Sequence, residues 1–267
     1  MRKSLSIVIP AYNEERHLPA CLDAIAKQTV MPSEVIVVDN NSSDKTKEVA
    51  KRYPFVRVVQ EKQQGRVYAR NAGFNAATGE IIGRIDADTI MPPNWVEQLQ
   101  YFYSDDDHFQ HYAYTGGSDF YNIRLPKVAS WITAQLAFRL NRALLGHYIL
   151  YGANMAIPKH LWQAVRNDVC HRNDIHEDLD LSIHLHRRGY RITYQVGLHV
   201  RVKMRRVRTN RSELHENLMW WPQTLKVHNN NNWIIGWVGA QVLFYSSLAV
   251  PIIERIALLL GRDPLPE

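Results

Sequence analysis

Two carboxylates one residue apart, Asp86 and Asp88, end an apolar run in IIGRIDADTIMPPNW, residues 81–95. Hard divalent cations such as Mg2+ or Mn2+ take oxygen ligands, often one or two carboxylates together with substrate phosphates. On that chemistry Asp88 is assigned to a metal, and Asp86 to a ribose or, through water, to the same metal. Taken alone, Asp-Ala-Asp-Thr is equally the composition of a solvated turn that caps the next helix. A second acidic pair, Glu177–Asp178, lies in HEDLDL at residues 176–181. Neighbouring carboxylates raise one another's pKa, which moves a base toward neutral pH. The same stretch begins acidic and ends basic, so it also suits ordinary helix-end electrostatics. Gly65–Arg66 and Arg70 open a helical segment, where their positive charge suits a nucleotide or its diphosphate.

These residues need elements to hold them. Apolar runs of strand character, 5–10, 34–39, 56–59 and 80–86, alternate with helical segments at 15–28, 43–53 and 66–77. Such alternation predicts an α/β fold: a mainly parallel sheet with helices on both faces, whose ligands sit outside the carboxyl ends of the strands. The polar residues after each strand, Pro10 to Glu14, Asp39 to Ser43 and Asp86 to Asp88, therefore converge on one edge. Asp39 ends a strand where its carboxylate suits a base or ribose, and Asn41 and Ser42 read as turn residues. Further strands are expected over 112–121, 148–157 and 190–202, with helices over about 127–145 and 174–189. The second helix carries an apolar stripe of Leu179, Leu181, Ile183 and Leu185, with His184 and His186 on its surface. Gly116–Gly117 and Gly152–Ala153–Asn154 bring backbone close to a ligand or simply serve packing.

The chain has 267 residues, 46% of them hydrophobic, enough for a full core, which excludes global disorder. Its 32 basic and 26 acidic residues leave a net charge of +6, open to nucleic acid, anionic membrane or a phosphorylated ligand. Cys21 and Cys170 are too few and too far apart for a disulfide scaffold or a zinc site, and favour a reducing compartment. The N-terminal SLSIVIP reads as a strand and not as a signal peptide.

Together, SIVIPAYNEERHLPACLDAI, EVIVVDNNSSDKT, Asp86–Ala87–Asp88 and His176-Glu177-Asp178-Leu179-Asp180-Leu181 resemble an inverting family 2 glycosyltransferase of the GT-A fold, over roughly residues 4–203. The four motifs stand in the family's order. The resemblance implies a Rossmann-like nucleotide-binding sheet, a nucleotide-sugar donor that is usually a UDP-sugar, and Mn2+ or Mg2+ at the Asp-x-Asp triplet. It also implies a base in the Glu-Asp pair. Pro10, Ala11 and Glu14 would line the base pocket with Asp39, and Ala87 would lie between the two aspartates beside the nucleotide. His199 would complete the metal site, as a neutral imidazole can. Transfer with inversion needs a group to take the acceptor's hydroxyl proton; Asp178 is assigned that role, Glu177 positions acceptor or loop, and Asp180 is structural.

The chain divides at this stage into residues 1–210, carrying these motifs, and a helical segment, 211–267. WIIGWVGAQVLFYSSLAVPII, residues 233–253, has no charged residue in 21 positions, long enough to cross a bilayer or to lie in its interface. Before it, Arg187, Arg188, Arg191, Arg201, Lys203, Arg205, Arg206, Arg208 and Arg211 occur with no acidic residue among positions 187–211. Such a run fits anionic lipid better than nucleic acid when an apolar segment follows. The expected setting is thus the cytoplasmic face of a bacterial inner membrane, with a glycan, lipid-linked or protein acceptor. The Gln-x-x-Arg-Trp signature of processive members is not evident, which favours a single transfer. A nucleotidyltransferase and a non-catalytic membrane-bound binding module are the alternatives.

Overall fold

LSIVIPA and EVIVVD are apolar without alternation because both faces of their sheet are covered. The computed structural model describes residues 2–121, 135–203 and 211–247. In chain order these form β1 (Leu5–Ala11), α1 (Leu18–Ala26), β2 (Glu34–Asp39), α2 (Thr46–Lys51), β3 (Val56–Gln60), α3 (Arg66–Ala76), β4 (Ile81–Arg84), α4 (Trp95–Phe102), α5 (Asp106–His111) and β5 (Tyr112–Phe120). There follow a π-helical turn (Gln135–Leu140), α6 (Asn141–Leu145), β6 (Met155–Pro158), α7 (Lys159–Val165), α8 (Glu177–Arg187), β7 (Arg191–Val202), α9 (Arg211–Val227) and α10 (Trp233–Ser247).

The strands form one sheet in the order β3-β2-β1-β4-β6-β5-β7. β6 is antiparallel to both β4 and β5, while β1 to β4 pair in parallel and β7 runs parallel to β5. All strands but β6 therefore point their carboxyl ends to one edge. Leu5, Ile7 and Ile9 pack on one face with Leu22 of α1 and Trp95 and Leu99 of α4. Val8, Ile36 and Val38 pack on the other with Phe74 of α3, Trp162 of α7 and Leu181 and Leu185 of α8. Each such side chain contributes about 1.5–3 kcal/mol on full burial. A third cluster, Leu179, Ile183, Trp221 and Leu225, joins α8 to α9.

Two expected elements differ. The strand expected over 148–157 begins only at Met155, because Gly152 and Asn154 use their backbone and side chain elsewhere: Asn154 accepts from Trp95 Nε1 at 2.9 Å and donates to the Gly117 and Leu198 carbonyls at 2.9 and 2.6 Å. Of the helix expected over 127–145, residues up to 134 lie outside the described residues; the rest is the π-helical turn and α6. In residues 211–247, α9 packs on α8 and α10 packs on α9.

Candidate functional site

The carboxyl edge of the sheet opens on a cavity of about 960 Å³. Its floor is Pro10 and Ala11 at the end of β1, Asn40 after β2, and Arg84, Asp86 and Ala87 at and after β4. The start of α8 supplies His176, Glu177 and Asp178 on one side, and α3 supplies Arg66 and Ala69. Glu213, Glu216, Asn217, Trp220 and Trp221 of α9 complete the wall beside them.

The loops after β1 and β2 are built on each other. Asn13 and Asn41 take the left-handed conformation that asparagine tolerates. Asn13 Oδ1 accepts from Ser43 N–H at 2.8 Å, and Glu14 N–H donates to Thr46 Oγ1 at 2.7 Å. Asp39 is buried and accepts from Ser42 N–H at 3.2 Å, so it shapes this turn and does not line the cavity. Its neighbour Asn40, expected only as one of the polar residues on this edge and given no role, does line it. Asn40 Oδ1 accepts from Gly65 N–H at 2.9 Å, and its amide donates to the Glu61 and Gln63 carbonyls at 3.1 and 2.7 Å. That fixes the start of α3, where Gly65 sits at φ +145°, a conformation closed to side-chain-bearing residues.

Arg66, the first residue of α3, meets the cavity as expected from the sequence. It lies 4.0 Å over the Trp220 ring, donates to Asn217 Oδ1 at 3.3 Å, and has Nε 3.9 Å from Glu177 Oε2. Arg70 is one turn on and wholly buried, outside the cavity lining. Its Nη1 donates to the Glu177 carbonyl at 2.6 Å, so it supports the start of α8 from behind and does not reach a ligand.

The centre of the site is Arg84, also absent from the expectations. It is 3% exposed, and its guanidinium is paired with Asp178 Oδ1, with Glu177 Oε1 at 3.1 Å and with Asp86 Oδ1 at 3.4 Å. Burial opposes its charge, but the three carboxylates outweigh burial and hold it more firmly protonated than usual. A lone arginine inside the apolar run EIIGRID is the signal that marks it. Gly152 N–H donates to Asp178 Oδ2 at 2.8 Å, and a Cβ at Gly152 would fall 2.5 Å from the Arg84 guanidinium and from Asp178 itself.

The two members of the acidic pair are thereby driven apart. Burial raises Glu177, but Arg66, Arg84 and Arg70 together bring it well below the ordinary range. For Asp178, 22% exposed on the cavity, burial is the largest influence; Glu177 and Asp86 add to it, Arg84 opposes it, and the carboxyl is pushed up to about 6. Each Asp178 oxygen already accepts one hydrogen bond and keeps a lone pair for another. The upward shift makes Asp178 the more basic member of the pair, the one suited to take a proton.

The Asp-x-Asp turn begins after β4, closed by Thr89 N–H donating to the Asp86 carbonyl at 3.0 Å. It separates the two carboxylates: Asp86 is 44% exposed and lines the cavity, whereas Asp88 is 8% exposed and outside that lining. A two-way backbone bridge between Ile90 and Arg201, 2.7 and 2.8 Å, ties the turn to β7, two residues beyond His199. His199 itself is half-exposed, 3.9 Å from Asp119 and not part of the cavity wall. Asp86 and Asp88 are oxygen donors of the kind a hard cation takes, but among the described residues the turn does not gather Asp86, Asp88 and His199 into one ligand cluster. Beneath the turn, the Cys21 thiol is pushed far up by burial and then by Asp88, Asp86 and Glu14, which records the negative charge gathered there.

His184, expected on the helix surface, differs from expectation, while Asp180 is buried inside the fold as a structural residue. His184 is largely buried, with Nε2 3.5 Å from a fully buried Asp180.

The profile of the family described as Glycosyl transferase family 2 matches residues 6–160. Among curated proteins, an undecaprenyl-phosphate 4-deoxy-4-formamido-L-arabinose transferase of Serratia proteamaculans is 37% identical over 106 residues, 36% of this chain and 32% of its own. The chain covers less than half the length of the curated relatives it matches. In fold it is similar to the mannosyltransferase PcManGT of Pyrobaculum calidifontis, solved in complex with GDP-Man and Mn2+, with a TM-score of 0.67 at 18% identity over 99% of this chain and 77% of that one. It is likewise similar to TarS of S. aureus, solved with UDP-GlcNAc, at TM-score 0.59 and 17% identity over 91% and 81% of the two chains. The fold expected from the motifs, GT-A, is the fold observed, and the chain belongs to glycosyl transferase family 2.

Proposed function

We propose that this glycosyltransferase moves a sugar from a nucleoside-diphosphate sugar, a UDP-sugar in the first instance, to an acceptor hydroxyl, inverting the anomeric carbon in a single transfer. The observation that carries this reading is one cavity bounded by the β1 and β2 loops, Asp86, Arg66 and the raised carboxyl of Asp178. The base and ribose would lie against Pro10, Ala11, Glu14 and Asn40. Arg66 would meet the diphosphate, leaving Trp220 or carrying it along. Asp86 and Asp88 would hold Mn2+ or Mg2+, with His199 as a further ligand; such an ion, when bound, supplies charge neutralisation of the departing diphosphate. Asp178 accepts the hydroxyl proton as the acceptor attacks, held in place by Arg84 and Gly152 N–H. Glu177, kept ionised by three arginines, holds Arg84 against Asp178 and bears no proton itself.

The acceptor would enter from the α9 side, between Trp220 and Glu213. A lipid-linked acceptor suits this reading, because α10 carries exposed Ile234, Ile235, Trp237 and Val238 beyond that wall, and because the Serratia relative is named for transfer involving undecaprenyl phosphate. With it goes a place on the cytoplasmic face of a membrane, α10 lying in the interface. Among the described residues no helix is long and apolar enough to cross a bilayer, and residues 248–253 of the expected span lie outside them.

The test is to incubate detergent-purified protein with a panel of nucleotide sugars and Mn2+ or Mg2+, and to measure which nucleoside diphosphate is released. Release of UDP from one UDP-sugar, dependent on added cation, is the expected result. Pyrophosphate release from a nucleoside triphosphate would instead identify a nucleotidyltransferase, and no turnover with any donor a binding module.

A further inference from the structure

Outside the cavity lining, four metal-ligating side chains from three segments meet. Cys170 comes from the loop after α7, Asp180 and His184 from successive turns of α8, and His228 from the end of α9. One ligand atom from each lies within 4.8 Å of all the others. Asp180 and His184, four apart, share a helix face. His228 Nε2 is 2.9 Å from Asp180 Oδ1, His184 Nε2 is 3.5 Å from the same oxygen, and the two imidazole rings are 5.0 Å apart. Asp180 Oδ2 accepts from Cys170 N–H at 3.0 Å. His184 Nε2 is buried with no hydrogen-bond partner, an orphan nitrogen in the middle of a ligand set.

We propose that Cys170, Asp180, His184 and His228 form a structural zinc site. One thiolate, two imidazoles and one carboxylate are a donor set that Zn2+ takes in tetrahedral geometry, and the thiolate sets it apart from the carboxylates of the Asp86–Asp88 turn. A dipositive ion would balance the thiolate and carboxylate, leaving a neutral buried centre, and would give the orphan His184 nitrogen a partner. Its consequence is mechanical: it would clamp α8, which begins with Glu177 and Asp178, to α9, which bears the Trp220 wall. The site stands whether or not the proposed transfer does.

Binding has a definite proton balance. Arg187 Nη1 now faces His228 Nδ1 at 3.1 Å and can only donate, so the His228 proton lies on Nε2, toward Asp180. To ligate through Nε2, His228 must give up that proton and carry one on Nδ1. Arg187 Nη1 must then turn aside, while its Nη2 bond to the His228 carbonyl, 2.9 Å, is kept. Cys170 loses its thiol proton, so one proton is released per ion bound.

The experiment strips the full chain with a chelator, reloads it with Zn2+, and measures retained zinc after gel filtration, alongside the absorption of the Co2+-substituted form. One zinc per chain is expected. Cys170→Ser and His184→Ala should each weaken retention by about tenfold or more, and Cys170→Ser should abolish the thiolate-to-cobalt absorption. Asp88→Ala, which touches the other proposed cation site, should keep both zinc and absorption. Should those variants fail to fold, the wild-type chain alone decides: its thermal midpoint should rise on adding Zn2+ and fall back with chelator. No retained zinc and no thermal shift in the wild type, or retention unchanged in Cys170→Ser and His184→Ala, overturns the proposal.

Discussion

Arg84 holds two carboxylates of opposite behaviour, Glu177 kept ionised and Asp178 raised toward neutrality, within one buried cluster. Removing it would leave buried negative charges unpaired, and Arg84→Met is expected to cost roughly 3–5 kcal/mol of stability. Arg84→Lys keeps the charge but loses the planar fork that meets both carboxylates at once. It should restore most of the stability, while kcat falls by about 10²-fold with the base out of line; thermal melts and initial rates on both variants check this. If lysine restored turnover, Arg84 would act as charge alone. At this scale the sequence was legible where motif and chemistry coincide: Asp86, Arg66, Glu177 and Asp178 do line one cavity. It was less so for Asp39, Arg70, Asp88 and His199, which sit near that cavity without lining it. Position in a motif does not say which way a side chain faces.

At the scale of elements, one carboxylate at the opposite edge of the sheet ties three strands together. Glu34, first residue of β2, accepts from Ser6 Oγ of β1 at 2.7 Å, Thr78 N–H at 2.9 Å and Arg57 Nη2 of β3 at 2.6 Å. Burial opposes its charge, and these donors outweigh burial, so its pKa lies below the ordinary value. The stabilisation is therefore fully present above the unfolded pKa of about 4.3 and is lost as pH falls through the lower folded value. Glu34→Gln should cost about 1–2 kcal/mol at pH 7 and progressively less in acid, read from denaturant melts over that range. A cost independent of pH would mean the network does not depend on the charge. The first four strands were legible because each is a continuous apolar run between turn residues. The 148–157 segment was not, since YILYGANMAI is equally apolar, yet Gly152 N–H is committed to Asp178 and Asn154 to three long-range partners. Such commitments leave no local trace.

For the molecule as a whole, α9 and α10 change the meaning of the C-terminal third. The small residues Gly236, Gly239 and Ala240 face α9, a Cβ at Gly239 falling 2.9 Å from Trp221, while Ile234, Trp237, Val238 and Val242 face outward. The basic run is less available than its composition suggests: Arg187 bonds His228, Arg188 pairs with Asp168 at 2.6 Å and Arg191 bonds Tyr112. Residues 204–210, with Arg205, Arg206 and Arg208, lie outside the described residues. If the chain takes the proposed place at a membrane through the exposed apolar face of α10, binding should survive raised salt in vesicle flotation and drop roughly tenfold or more on replacing Ile234, Trp237 and Val238 with serine. Release by salt with no effect of the serines would assign it to the arginines instead. Composition announced this segment, but only long-range packing makes α9 a wall of the site. The central claim, that the chain transfers a sugar with Asp178 as the base, is tested most directly by Asp178→Asn, measuring donor affinity and nucleoside diphosphate release together. Donor Kd should stay within about threefold while turnover falls about 10²- to 10⁴-fold; unchanged turnover at equal donor affinity would contradict it.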